Sequence, residues 1–178
     1  MRRTLLLCIL LALTVTPARA ATNVLAVPIY AQYDARVGNA YWESVACGPT
    51  AVRMVLAYEG RNVALRTLIR ETAIPQGAPG LTLDDVVTLL SVNGVTNHLG
   101  LLTRLAQVKR EIDAGRPVIE QIDFAALYGG VSGQHYVVVV GYTDTAVIFI
   151  DPYWARRFTV AWSTFFYDAR IYALFVGS

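Results

Sequence analysis

The stretch His135-Tyr136-Val137-Val138-Val139-Val140-Gly141-Tyr142, then Thr143-Asp144-Thr145, then Ala146-Val147-Ile148-Phe149-Ile150-Asp151, decides the fold. Within the first run Tyr136 to Val140 is apolar throughout instead of alternating, which predicts a central strand covered on both faces. The polar break at Thr143-Asp144-Thr145 followed by a second apolar run makes the whole a β-hairpin. Val118 to Asp123 reads as a strand before it, and Arg157 to Val160 and Arg170 to Val176 as two strands after it.

Upstream, the period changes from strand to helix. Ala51, Val52, Val55, Leu56 and Tyr58 recur at helical spacing, with Pro49 expected at the first helical position and Gly60 as the stop. A second helix is expected over Ala64 to Glu71. A third starts at Thr82, where Asp85 three residues on resembles a capping box with Asp in place of Glu, and ends at Gly94. A fourth runs from about Thr103 to Ala114, closed by Gly115 and Pro117. Val24 to Tyr30 contains Pro28 and suits an edge strand or an extended approach. The fold class is therefore α+β, with N-terminal helices packed on a C-terminal antiparallel sheet. Pro75 to Gly80 and Leu127 to Gln134, the latter holding Gly129-Gly130, read as loops within one fold.

The first twenty residues have a different character. Arg2 and Arg3, the apolar run Leu5 to Val15, and Pro17-Ala18-Arg19-Ala20 before Ala21 form the pattern of a secretory signal peptide. A retained anchor is the alternative; roughly eleven apolar residues fall short of the ~20 that a bilayer span needs. The expected division is residues 1–20 as signal peptide and 21–178 as one domain, exported to the periplasm, the cell surface or the medium, without stable membrane insertion after cleavage. Removing Arg2, Arg3 and Arg19 takes 15 basic residues to 12 against 13 acidic ones. With near-neutral charge and Lys109 as its single lysine, the mature chain lacks the basic footprint of a nucleic-acid binder. No metal-ligand spacing and no phosphate-cradling glycine motif is present, so no cofactor is expected.

Cys8 leaves with the signal, and Cys47 is then the sole cysteine. An unpaired thiol in an exported chain is a buried small hydrophobe, half of an intermolecular bridge, or a reactive group. The run Ala46-Cys47-Gly48-Pro49-Thr50 places it at a helix N-terminus, which with a nearby imidazolium lowers a thiol pKa from ~8.5. Only His98 and His135 can supply the imidazole. His98 sits between Gly94 and Gly100 in what reads as an exposed loop. His135 opens the central strand behind a Gly-rich loop and is the better partner. Asp151 ends the other strand of the hairpin and is expected to pair with His135 across the outer ends, holding the imidazole in one tautomer. A strand-end histidine satisfied by a carbonyl, and an Asx turn at Asp151-Pro152, stay open as plainer readings. Tyr41, Trp42, Tyr128, Tyr153 and Trp154 flank this set in sequence, either as cleft lining or as ordinary packing.

The order Gln32, Cys47, His135, Asp151 resembles the papain-like clan. The chain is more closely similar to the bacteriocin-processing (double-glycine leader) peptidases, cysteine peptidase family thirty-nine, in stand-alone exported form. The matching pieces are Val27-Pro28 through Gln32, Ala46 to Thr50, Gly115-Arg116-Pro117-Val118, His135 to Tyr142, and Asp151-Pro152. The resemblance implies a papain-like cysteine peptidase fold, Cys47 as nucleophile, His135 as general acid and base, Asp151 as orienting acid and Gln32 as oxyanion donor. It further implies a peptide or protein substrate with small residues such as Gly before the cleaved bond. Transporter-attached members carry an acidic residue before the cysteine and a shorter gap to the glutamine; here Ala46 and a separation of fifteen positions stand instead. An acyltransferase of the transglutaminase or arylamine-acetyltransferase type, and an inactive extracellular peptide-binding relative, are the competing functions.

Overall fold

The computed structural model describes residues 22–72, 75–100 and 105–176. The signal pattern and the expected start of the fourth helix at Thr103 lie outside the described residues. A seven-stranded antiparallel sheet organises the rest. Its strands are β1 (Asn23–Val24), β2 (Asn97–Gly100), β3 (Val118–Asp123), β4 (Gln134–Tyr142), β5 (Ala146–Asp151), β6 (Arg156–Ala161) and β7 (Arg170–Val176). They run in the order β2-β7-β3-β4-β5-β6, and β1 pairs with β4 beyond the end of β3.

The hairpin lies where its apolar runs require. β4 is buried from His135 to Tyr142 and β5 over its whole length. Each valine of Val137 to Val140 is fully buried, an arrangement worth roughly 1.5–3 kcal/mol per side chain. Helices cover both faces. Against one lie α2 (Cys47–Tyr58), α3 (Leu65–Glu71) and α4 (Leu83–Val92), whose Val52, Leu56, Leu68 and Leu90 join Val138, Val140 and Ile150. Against the other lie α5 (Leu105–Asp113) and a π-helical turn at Thr164–Ala169, with Ile112 and Phe165 meeting Val137, Val139 and Phe149.

The expected helix ends are present. Thr82 and Asp85 form the reciprocal capping box at the start of α4. Gly60 takes φ 78°, and Arg61 N–H and Gly60 N–H return to the carbonyls of Leu56 and Ala57, closing α2 as a Schellman motif. Pro49 occupies the third residue of α2 and not the first, still within the turn whose N–H groups need no helical acceptor.

Other expectations need correction. Of the two readings of Val24 to Tyr30, the edge strand falls away, since β1 is two residues long and no residue from Leu25 to Asp34 belongs to a strand. His98 lies on β2, paired with Phe175 of β7 and stacked on its ring at 5.1 Å, so it is exposed but not in a loop. Two short helices, α1 (Ala40–Ser44) and α6 (Phe124–Tyr128), are not among the expected elements, and the second runs into the loop expected from Leu127. Both are capped by side chains, Asn39 accepting from Tyr41 and Trp42 N–H, and Asp123 from Ala125 N–H.

One irregularity governs the site. β4 and β5 pair Tyr142 with Val147 and Gly141 with Ile148, then Val139 with Phe149 and Val138 with Ile150, so Val140 is an extra residue. Continued one step, this register sets Asp151 against Val137. Cross-strand partners share a face, and His135 and Val137 share one by the two-residue period. Without the bulge Asp151 would oppose Val138 and point to the other face from His135.

Candidate active site

Cys47 is the first residue of α2 and is a partly exposed free thiol. The chain behind it is packed tightly. A Cβ on Gly48 would stand 3.1 Å from Leu81 Cδ1 and 3.3 Å from Tyr136 Cδ2, so glycine lets the helix start lie directly on β4. Leu81 and Tyr136 also form one wall of a groove of about 410 Å³ that runs from Cys47 past Pro79, Gly80, Gly133 and Gln134. Tyr136 fixes that wall by donating to the Leu81 carbonyl at 3.2 Å and accepting from Gln121 Nε2 at 3.1 Å.

His135 is 5 % exposed, and its Nε2 lies 2.9 Å from Asp151 Oδ1. The pair is diagonal and not directly opposed, since Asp151 faces two positions further along β4; an imidazole spans that offset. Burial works against the charged ring, but the hydrogen bond to Asp151 and the hydrogen bond and charge of Cys47 outweigh it, and the His135 pKa is pushed up to about 9. With Nε2 on the carboxylate, Nδ1 is the nitrogen left for the thiol. Tautomer and partner thus follow from one contact.

Asp151 is wholly buried and well supplied with donors. Oδ1 accepts from Tyr153 N–H at 2.7 Å as well as meeting His135, and Oδ2 accepts from the Tyr128 hydroxyl at 2.5 Å. The Asx turn and the histidine contact therefore coexist on one carboxylate. Burial first, then the bond to Asp151, push the Tyr128 phenol well above its usual range, so it stays a donor. Tyr128 comes from α6, and the loop after α6 is tied back to Asp123 by Ser132 Oγ and Gly133 N–H. Sequence reasoning named Tyr128 only as an aromatic neighbour. A phenol seven residues before the histidine carries no mark of the carboxylate it will meet.

Gln32 is nearly buried on the extended segment before α1. Its Nε2 donates to the carbonyls of Glu43 and Ser44 at 3.3 and 3.2 Å, at the end of α1, and its backbone N–H donates to Pro152 O at 2.9 Å. Next along, Asp34 bonds Arg53 of α2 at 3.3 Å, and that guanidinium lies 3.9 Å over the Tyr30 ring. The Gln32 segment is thereby held against both α2 and the end of β5. The long gap to Cys47 is filled by a 3-10 turn at Ala35–Val37 and by α1. Tyr33, beside Gln32, is in electrostatic reach of Tyr153 and Cys47.

The structure thus joins His135 to Asp151 by a hydrogen bond, sets Cys47 within electrostatic reach of the imidazole, and places Gln32 on the segment bonded to Pro152. His98, on the far edge of the sheet, takes no part. Tyr41 and Trp42 lie on α1, Tyr41 donating to the Ala78 carbonyl and Trp42 lining a separate cleft of about 430 Å³ with Arg66 and Arg70. Among the described residues no group of His, Cys, Asp and Glu could hold a metal ion, and no helix is long and apolar enough to cross a membrane.

A family model described as the Peptidase_C39 like family matches residues 24–170. Among solved structures, the peptidase domain of Streptococcus ComA, a bi-functional ABC transporter involved in a quorum-sensing pathway, superposes with TM-score 0.63 at 19 % identity, covering 85 % of this chain and 98 % of that one. A C39-like peptidase from Bacillus anthracis superposes with TM-score 0.61 at 17 % identity, covering 89 % of this chain and 98 % of that one. At these identities the likeness concerns the fold. No curated protein is matched at a significant level.

Proposed function

This chain belongs to the Peptidase_C39 like family and is a cysteine peptidase, and we propose that it is exported and cleaves peptide bonds with Cys47 as nucleophile, His135 as acid and base, Asp151 as orienting group and Gln32 as oxyanion donor. One observation carries the reading: the imidazole at the start of β4 is hydrogen-bonded to the carboxylate at the end of β5 and lies close enough to the thiol at the start of α2 to be held charged by it.

Cys47 attacks the substrate carbonyl carbon as its thiolate, forming a C–S bond and moving the carbonyl electrons onto oxygen. The oxyanion is received by N–H groups of the first turn of α2, which lack helical acceptors, and by Gln32, which turns one amide N–H from its long bonds to α1. Collapse breaks the C–N bond, and the imidazolium of His135 gives its proton to the departing amine. Water then adds to the thioester and passes a proton to His135, and cleavage of the C–S bond frees the acid and restores the thiolate. Asp151 keeps Nδ1 turned to the sulfur throughout. The groove beside Cys47, with Gly80 and Gly133 on its rim, takes the acyl half of a peptide with small residues such as Gly before the cleaved bond.

Residues 1–20 act as the signal peptide, and the N-terminal sequence of the exported protein is expected to begin at Ala21. The catalytic reading is tested with purified 21–178 and a peptide library. Turnover is expected to vanish in Cys47→Ala, and an added primary amine to leave the free acid as the main product. Undiminished turnover in Cys47→Ala would sink the mechanism; capture of the acyl group by the amine would convert the assignment to acyl transfer.

A further inference from the structure

Outside the groove, a second set of side chains borders the reactive centre. Tyr33 directly follows Gln32, and Tyr153 and Trp154 follow Asp151-Pro152. The backbone bond from Gln32 N–H to Pro152 O fastens these two segments, which sets the Tyr33 and Tyr153 rings edge to face at 5.4 Å. Trp154 continues the row 4.8 Å from Tyr153. All three rings are open to solvent, at 47, 38 and 47 % exposure, whereas the aromatic rings within the hairpin, Tyr136 and Phe149, are buried. Clustered aromatic surface left in water at a reactive centre is unusual for a well-packed chain and calls for an apolar occupant.

The row is also held rigid. Tyr153 N–H is bonded to Asp151 Oδ1, the same oxygen that meets His135. The turn presenting Trp154 closes at Ala155 with φ 49°, a left-handed backbone rarely taken by a residue with a Cβ. Such strain kept beside a reactive group is a mark of use.

Its side of the cleft follows from the proton. Tyr153 stands edge-on to the His135 ring at 6.5 Å, and His135 is the group that hands its proton to the departing amine. The groove that takes the acyl half lies along Gly80, Leu81, Gly133 and Tyr136 and shares no residue with the aromatic row. We propose that Tyr33, Tyr153 and Trp154 form the subsite for the departing segment of the substrate, and that this subsite selects an aromatic or large aliphatic residue directly after the cleaved bond. The proposal rests on the peptidase reading of the site.

Two measurements separate the two ideas. Peptides of the form Ala-Ala-Gly-Gly-Xaa-Ala-Ala, with Xaa as Phe, Tyr, Leu, Ser or Asp, are assayed for kcat/KM with the native enzyme and for binding by calorimetry to the Cys47→Ala protein. A preference of at least roughly tenfold for Phe, Tyr and Leu over Ser and Asp is expected in both. In Trp154→Ala and Tyr33→Ala the ratio is expected to shrink to within about threefold, while exchanging the two glycines for other residues leaves the Xaa ratio intact. Equal binding of the Phe and Ser peptides, or a ratio unmoved by both substitutions, overturns the subsite. Preferential binding to Cys47→Ala without any cleavage by the native protein upholds the subsite and removes the peptidase mechanism.

Discussion

The hairpin β4–β5 and the approach segment Leu25 to Ala46 bring their groups to the same centre by opposite means. The hairpin is a buried ladder in which His135 and Asp151 are fixed by register, and Asp151 has a donor for each oxygen. The approach segment has almost no ladder; Gln32 is held by a backbone bond to Pro152, two long bonds to α1, and the Asp34–Arg53 contact next door. Proton transfer needs fixed geometry through the whole cycle. An oxyanion donor, the role proposed for Gln32, needs to be in place only when negative charge forms, so a segment held at few points would suffice for it.

That contrast can be broken most severely at His135. His135→Ala is expected to lower kcat by roughly 10⁴-fold or more, with the fold kept by circular dichroism; a residual rate within tenfold of native would detach the hairpin from the chemistry. Next in size is Gln32. Gln32→Ala should lower kcat by about 10²–10³-fold with KM little changed, which is the pattern of a contact made in the transition state. A rise in KM alone would make Gln32 a ground-state contact.

Tyr128→Phe leaves a buried carboxylate oxygen without its donor, at a cost of about 1–3 kcal/mol. The expected result is a fall in kcat of roughly ten- to a hundredfold. Because the undiluted charge of Asp151 then holds the imidazolium more firmly, the alkaline limb of kcat moves upward from about 9. An unchanged limb would make Tyr128 packing alone. The same histidine sets a stability window. Its folded pKa of about 9 exceeds the ordinary 6.5, so the stabilisation is complete below about pH 6.5 and is lost as pH rises through 9. The melting temperature should fall over that range in the native protein and stay flatter in Asp151→Asn.

The smallest effect tests the ladder away from the chemistry. A Cβ at Gly141 would come within 2.5 Å of the Asn23 carbonyl oxygen on β1. Gly141→Ala should destabilise by about 1–3 kcal/mol through displacement of β1, with kcat within about twofold. A tenfold loss of kcat would mean that strain at the far end of β4 reaches His135, against the rigidity described.

What could be read in the chain beforehand follows the same division. Unbroken apolar runs around a polar turn point to a hairpin whatever lies about it, and glycines after amphipathic runs stop helices by local geometry. Thr82 and Asp85 cap α4 because both partners lie within one turn. α1 and α6 were not legible, since five-residue helices are below the length that propensity can sustain and depend on Asn39, Asp123 and their tertiary surroundings. β2 was missed because Asn97-His98-Leu99-Gly100 does not alternate and is ordered only by β7. The bulge at Val140 was hidden by its own composition: among four consecutive valines no one residue stands out as the extra one.

That bulge makes the distance along the chain from His135 to Asp151, sixteen positions, a matter of odd and even. Surface loops in general tolerate residues gained or lost one at a time. Within this hairpin a single insertion or deletion between Gly141 and Asp151 that is absorbed by sliding the ladder turns the carboxylate to the opposite side of the sheet, and only changes taken in pairs, or spilled into the turn at Thr143 to Thr145, leave the two groups facing one another. Length variation in this stretch is therefore expected to be confined to the turn.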